Sequence, residues 1–344
     1  MDMPEKILNE TELENFLAVP APGLIEMMKR LDGDIMILGV AGKMGVTMAF
    51  QAVEAIKAAG VSKTVYGVAR FSNPEEQSKL EAHGVKTIKC DLLNEDAIAS
   101  LPEVKNIVFM AGRKFGTGGS EAQTWEMNVL APHYVVKRFR NSRVVVFSTG
   151  CVYPLVGPAT GGCTEEVVPE PIGEYSQSCL GRERILEADA ARYGTKLLLF
   201  RLNYAIDLRY GVLHDIASLV WQGKPVSRGV SHFNVVWQGD ANAYALMALE
   251  LADNPPAYLN VTGPETISVE YIAEAFGRAF GKEVVFEGEP SNHCYLNNAG
   301  KCFKLLGYPR VPLLWMIERQ AEWFLAGGRS LNKPTHFEVN NGKF

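Results

Sequence analysis

The chain has 344 residues, of which 47% are hydrophobic and 21% charged, with 34 basic against 39 acidic side chains and a formal net charge of −5. That is the balance of a globular protein with a large core. No basic run or stripe suits nucleic acid, and no apolar stretch is long enough to cross a bilayer. Met1 to Lys6 lacks the basic start and apolar run of a signal peptide. The six cysteines, Cys90, Cys151, Cys163, Cys179, Cys294 and Cys302, are scattered without metal-ligand spacing, so no metal site and reduced thiols in a cytoplasm are expected.

Residues 1–33 read as an N-terminal helical extension. A short capped helix begins near Thr11, Pro20-Ala21-Pro22-Gly23 breaks the chain, and Leu24 to Leu31 resumes as a helix. Leu24, Met27, Met28 and Leu31 fall at helical spacing, an apolar stripe that needs cover from the main domain or from the second subunit of a homodimer. Ile35 to Leu38 is then a short apolar run without helical spacing, as in a parallel strand buried on both faces. Gly39, Gly42 and Gly45 follow, and behind them Met48, Ala49, Val53 and Ile56 recur at helical spacing up to Gly60. Strand, glycine turn and helix make a nucleotide site for a mechanical reason. Glycine lets the backbone approach a pyrophosphate, whose charge sits on the free N–H groups at the helix start.

Further strands are predicted at Thr64 to Ala69, Val85 to Cys90, Ile107 to Met110, Val144 to Phe147 and Leu197 to Phe200, with helical patterns between them. Ser72 reads as a helix N-cap ahead of Pro74. The pattern is that of an α/β fold, a Rossmann-type doubly wound parallel sheet over 34–201. Asp91-Leu92, Ala111-Gly112 and Ser148-Thr149 all fall at the carboxyl edge of that sheet, where ligands bind. Gly116-Thr117-Gly118-Gly119 reads as a flap over the site. Residues 202–344 form mainly a smaller, substrate-binding lobe with segments returning to the sheet. Its predicted strands are Phe233 to Trp237, Tyr258 to Val261 and Val284 to Phe286, and its helices Ala241 to Leu251 and Val269 to Phe280. His214 and His232 read as packed or surface side chains.

With these motifs in order, the chain resembles the extended short-chain dehydrogenase/reductases of the NAD-dependent epimerase/dehydratase type. Gly39-x-x-Gly42-Lys43-Met44-Gly45 is similar to that family's dinucleotide loop, Asp91-Leu92 to its adenine-holding pair and Asn128-Val129 to its helix asparagine. Ser148-Thr149-Gly150-Cys151-Val152-Tyr153-Pro154 resembles its Ser-Ser/Thr-x-x-Val-Tyr-Gly signature, and Tyr175-x-x-Ser178 opens its Tyr-x-x-Ser-Lys motif. The resemblance implies an NAD(P)-dependent oxidoreductase, epimerase or dehydratase acting on a sugar, nucleotide-sugar or sugar-derived substrate by hydride transfer. It implies that Tyr175 is the acid/base, that Thr149 hydrogen-bonds the reacting oxygen and that Asn128 orders a relay water. Cys151 matches a cysteine that passes protons to keto-sugars in nucleotide-sugar 3,5-epimerases and GDP-fucose synthases.

One position departs from the motif. Cys179 stands where the family has the lysine that holds the nicotinamide ribose and lowers the tyrosine pKa from about 10. The alternative is therefore a cofactor-binding protein with weakened or lost catalysis. Arg182, three residues on, is expected to project in a neighbouring, different direction. After the second strand the sequence reads Val68-Ala69-Arg70-Phe71, with no carboxylate to repel a 2′-phosphate. Arg70, and Lys43 in the glycine loop, favour NADP over NAD.

Overall fold

The structure is a computed structural model that describes residues 3–114 and 119–342. Phe115 to Gly118, which include most of the predicted flap, lie outside the described residues. Two helices precede the sheet, α1 (Glu10–Leu17) and α2 (Pro22–Arg30). The first strands and helices then alternate: β1 (Ile35–Leu38), α3 (Gly45–Ala59), β2 (Val65–Ala69), α4 (Pro74–Ala82), β3 (Lys86–Lys89), α5 (Glu95–Ala99) and β4 (Asn106–Phe109). The alternation goes on through α6 (Glu121–Trp125), one π-helical turn (Glu126–Leu130), α7 (Ala131–Arg138), β5 (Arg143–Thr149), α8 (Gly173–Tyr193) and β6 (Lys196–Leu202). A seventh strand, Ala257–Val261, returns from the second half of the chain to pair with β6.

The sheet runs Ala257–Val261, β6, β5, β4, β1, β2, β3, and every pair is parallel. Parallel strands covered on both faces must be apolar throughout, and all four residues of β1 and of β4 are buried. The order reverses between β1 and β4. Their carboxyl ends therefore splay into a crevice that is closed below by the sheet and open above.

Two caps differ from expectation. Asn9 caps α1, its side chain accepting from the Glu12 amide at 2.9 Å. Asn73, not Ser72, caps α4 and accepts from the Glu75 amide at 3.0 Å. Proline at the first helical position fixes the cap one residue before it, and Pro74 makes that residue Asn73.

The N-terminal extension packs onto the rest of the chain. Leu24, Met27, Met28 and Leu31 are buried in the cluster that contains α3 and α10 (Gln238–Met247). Leu13, Phe16 and Leu17 of α1 join a second cluster with Trp237 and Trp315. The buried amide of Gln51 on α3 donates to the carbonyls of Leu17, Val19 and Gly239 at 2.9–3.2 Å, tying extension, sheet layer and second half together.

That second half is built on α9 (Val212–Trp221), α10, α11 (Val269–Phe280), α12 (Gly300–Leu306) and α13 (Leu313–Leu325). The predicted strand Phe233 to Trp237 is two short bridges. His232–Phe233 pairs with Ile267–Ser268, and Val236–Trp237 with Ala205–Ile206. The cause is Asn234 between them. It is buried, its amide donates to the Glu265 carbonyl at 3.2 Å, and its oxygen accepts from the Asn297 amide at 2.9 Å. The chain changes partners at that residue.

Candidate active site

The turn from β1 into α3 is made by its glycines. Gly39 has φ of 91°, and a Cβ there would lie 2.8 Å from the Ala111 nitrogen; one on Gly45 would run into the Val40 carbonyl. No side chain caps α3; the Gly45 amide donates to the Gly42 carbonyl at 3.0 Å, so the glycine turn closes directly onto the helix start. This is the cradle a dinucleotide pyrophosphate requires. Beside it lies a cavity of about 720 Å³ lined by Gly39, Gly42, Arg70, Asp91, Leu92, Ala111 and Gly112. Its size and its carboxylate at Asp91 suit the adenosine half of a dinucleotide. Arg70 is exposed at its rim. These residues fit NAD(P).

Met110, Ala111, Gly112 and Arg113 line this cavity and also a second one of about 240 Å³, so the two adjoin. The second cavity is lined by Lys43, Met44, Asn128, Thr149, Cys151, Tyr175 and Arg182. Lys43 belongs here rather than with Arg70. Its Nζ stands 3.1 Å from the centroid of the Tyr210 ring, a cation–π contact. The side chain crosses toward the second half of the chain, so it does not join Arg70 at the adenosine end as expected. Burial pushes its amine down to about 7, partly offset by Asp207.

Tyr175 stands on the first turn of α8, half-buried, and lines the same cavity as Thr149 at the end of β5. The Thr149 oxygen also accepts from the Cys151 amide at 3.2 Å. Burial raises the phenol well above 10; the thiols of Cys179 and Cys151 add to the rise, and Arg182 opposes it. Cys151 is buried in the same wall, its thiol raised by burial and drawn down by Lys114. Cys179 lies one turn along α8 from Tyr175 and packs with it; burial pushes this thiol up to about 11. At neutral pH it is an uncharged thiol.

Asn128 sits in the π-helical turn, a feature frequent at functional sites. Its amide donates to the Arg113 carbonyl at 3.0 Å and to Ser178 Oγ at 2.9 Å, and its Oδ1 accepts from the Arg113 amide at 2.8 Å. Its main-chain oxygen accepts from Arg182 Nε at 2.7 Å. The atoms expected to order a water thus hold Arg113, Ser178 and Arg182.

Arg182 does not project away from the site. Position 182 is seven residues from 175, and at 3.6 residues per turn the two directions differ by about 20°. The relevant comparison was with Tyr175, and the spacing of seven was the signal that could have found Arg182. Lys114 and Tyr204, also absent from the sequence reading, line the cavity as well, with Lys114 Nζ 6.0 Å and 5.9 Å from the ring centroids of Tyr175 and Tyr204.

A parallel doubly wound sheet with adjoining cavities at its carboxyl edge is the architecture of a dinucleotide-binding protein. Residues 35–205 match the family described as NAD dependent epimerase/dehydratase, and the chain belongs to that family. No curated protein matches the sequence. Among solved structures it is similar to UDP-glucose 4-epimerase from Thermotoga maritima with UDP-glucose, at 19% identity and a TM-score of 0.70, over 86% of this chain and 99% of that one. It is also similar to the UDP-glucose 4-epimerase complex with NAD from Thermus thermophilus, at 20% identity and a TM-score of 0.67, over 85% and 99%. A UDP-glucuronic acid 4-epimerase from Bacillus cereus in complex with NAD gives 18% identity and a TM-score of 0.71 over 85% and 98%. At these identities the likeness is one of fold.

Proposed function

We propose that the protein is an NAD(P)-dependent oxidoreductase, epimerase or dehydratase that acts at a carbinol carbon of a sugar, nucleotide-sugar or sugar-derived substrate. The observation that carries this reading is that Thr149 and Tyr175 line one cavity, which shares Met110 to Arg113 as a wall with the dinucleotide cleft. The nicotinamide, when bound, would supply reversible hydride acceptance. Thr149 would donate to the substrate oxygen and orient it. Tyr175 would move that oxygen's proton. The walls formed by Phe147, Leu202 and Ile206 would exclude water from the reacting carbon. Arg70 at the rim, with no carboxylate among Arg70, Phe71 and Ser72, supports a preference for NADP.

A second reading has its own observation. Tyr175 is lifted by burial, and the group touching it is an uncharged thiol. In that reading the chain binds cofactor and turns over weakly or not at all. A panel of sugars and nucleotide-sugars assayed for cofactor reduction separates the two. Turnover that falls by about 10²-fold or more in Tyr175→Phe, with cofactor affinity retained, supports the enzyme. Cofactor binding without turnover on any of them supports the second reading.

A further inference from the structure

The motif at Tyr175 lacks its lysine, yet a different cation is built into the same wall. We infer that Arg182 supplies the charge that Cys179 does not: it is a positioning residue that fixes a guanidinium near Tyr175 and makes its phenol a stronger acid. This deepens the reading of Tyr175 as the acid/base and rests on it.

Three acceptors hold the guanidinium. Nε donates to the Asn128 carbonyl at 2.7 Å, one terminal nitrogen to Asn128 Oδ1 at 2.9 Å and the other to the Phe147 carbonyl. All three acceptors are neutral, and no ion pair of Arg182 occurs among the described residues. The adjacent carboxylate, Glu183, is engaged by Arg201 at 2.6 and 2.9 Å and by Ser148 at 2.5 Å. A buried charge held only by dipoles keeps its field, and Arg182 lines the same cavity as Tyr175, where it opposes the rise of the phenol and of the Cys179 thiol.

The surroundings are cut to fit this side chain. A Cβ on Gly112 would lie 3.0 Å from an Arg182 terminal nitrogen and 3.2 Å from Asn128 Oδ1. Asn128 is itself locked by Arg113 and Ser178, so the acceptors cannot swing away.

Several titratable or charged groups face Tyr175. Cys151 comes from the turn after β5, Cys179 and Arg182 from its own helix, and Lys114 from the segment after β4, with Tyr204 also beside Lys114. Lys114 is the rival cation. Burial pushes its amine down, whereas a guanidinium stays charged when buried. Arginine is thus the side chain whose charge burial leaves intact in this wall.

The test reads the phenol directly and needs no substrate. Tyr175 is replaced by 3,5-difluorotyrosine, a more acidic phenol that gives one fluorine signal, and its shift is followed against pH with and without NAD. Arg182→Gln, which keeps an amide donor for the carbonyls, is expected to raise the midpoint by about one to three pH units. Arg182→Ala/Cys179→Lys, which exchanges one cation for the other, is expected to leave it near the native value.

An unmoved midpoint in Arg182→Gln overturns the inference. So does a drop of about one unit or more in the double variant, since that would mean a charge added where none had acted. A larger rise in Lys114→Met than in Arg182→Gln overturns it as well. If Arg182→Gln does not fold, the double variant decides. If the midpoints move as expected while no sugar is turned over, the functional reading fails and the charge assignment stands.

Discussion

Arg70 and Lys43, read in the sequence as two cations at one end of the cofactor, lie in different cavities, and each leads to its own test. Arg70 stands at the rim of the adenosine cavity, where a guanidinium can pair with a 2′-phosphate. Calorimetric titration is expected to give tighter binding of NADP than of NAD, with Arg70→Ala losing about tenfold for NADP and little for NAD. NAD binding the more tightly in the native protein would end that proposal. Lys43 predicts a pH effect. Its amine titrates near 7 in the folded protein against an ordinary 10.5, chiefly through burial. Below pH 7 both states carry the proton, and the fold bears the full cost of enclosing the charge. Between about 7 and 10.5 the unfolded chain binds the extra proton, so stability rises with pH. Compared with Lys43→Met, the native protein is therefore expected to gain on the order of 1–2 kcal/mol between pH 6 and pH 9.5, allowing for solvent at the cavity. Urea midpoints of both proteins at the two pH values measure it, and a constant difference would be inconsistent with the burial of this amine.

At the scale of elements, α8 does most to assemble the site, because Tyr175, Ser178, Cys179 and Arg182 all project from it. Its position on the sheet is set by a buried ion pair. Glu183 accepts from Nε and a terminal nitrogen of Arg201 on β6, and Ser148 of β5 donates to the same carboxylate. Arg201 also donates to the Tyr153 hydroxyl at 2.7 Å, which in turn donates to Asn260 of the seventh strand at 2.9 Å. One helix is thereby tied to three adjacent strands. Both side chains of the pair are almost fully buried, and removing one partner strands a charge, at a cost of about 3–5 kcal/mol. Arg201→Met is expected to lower stability by that amount in a denaturant titration. A loss below about 1 kcal/mol would mean that the pair does not anchor the helix.

For the molecule as a whole, the N-terminal extension is the part whose removal is most informative. It contributes Leu13, Phe16, Leu17, Leu24, Met27, Met28 and Leu31 to the two clusters that hold the sheet layer and the second half. At roughly 1.5–3 kcal/mol for each fully buried side chain, an upper bound because unfolded chains bury some surface, their sum is comparable with the whole stability of an ordinary domain. Polar ties would go with them. Gln51 would lose the Leu17 and Val19 carbonyls, and Arg310 the carbonyls of Val19 and Pro20 at 3.2 Å. A chain starting at Gly33 is expected to aggregate, or to melt at least 10 °C lower. Unchanged melting and unchanged mass in solution would show that the extension contributes no stability.

The sequence by itself determined the alternation of strand and helix, because a period of 3.6 or a short unbroken apolar run is written locally. It also determined where the carboxyl edge would gather Gly39, Asp91, Ala111 and Thr149, since strand ends follow from the same local pattern. Tyr175 and the departure at Cys179 were legible in the same way, from residues four apart on one helix. Only the tertiary structure decided what surrounds them. Arg182 enters the site because β5 and the π-helical turn bring the carbonyls of Phe147 and Asn128 to it. Lys43 leaves the adenosine end because Tyr210, 167 residues away in the chain, offers its ring face. Asn234 breaks a predicted strand because Glu265 and Asn297 come within reach of its amide. Charge and hydrogen-bonding partners are properties of space rather than of spacing, and folding alone brings those groups together.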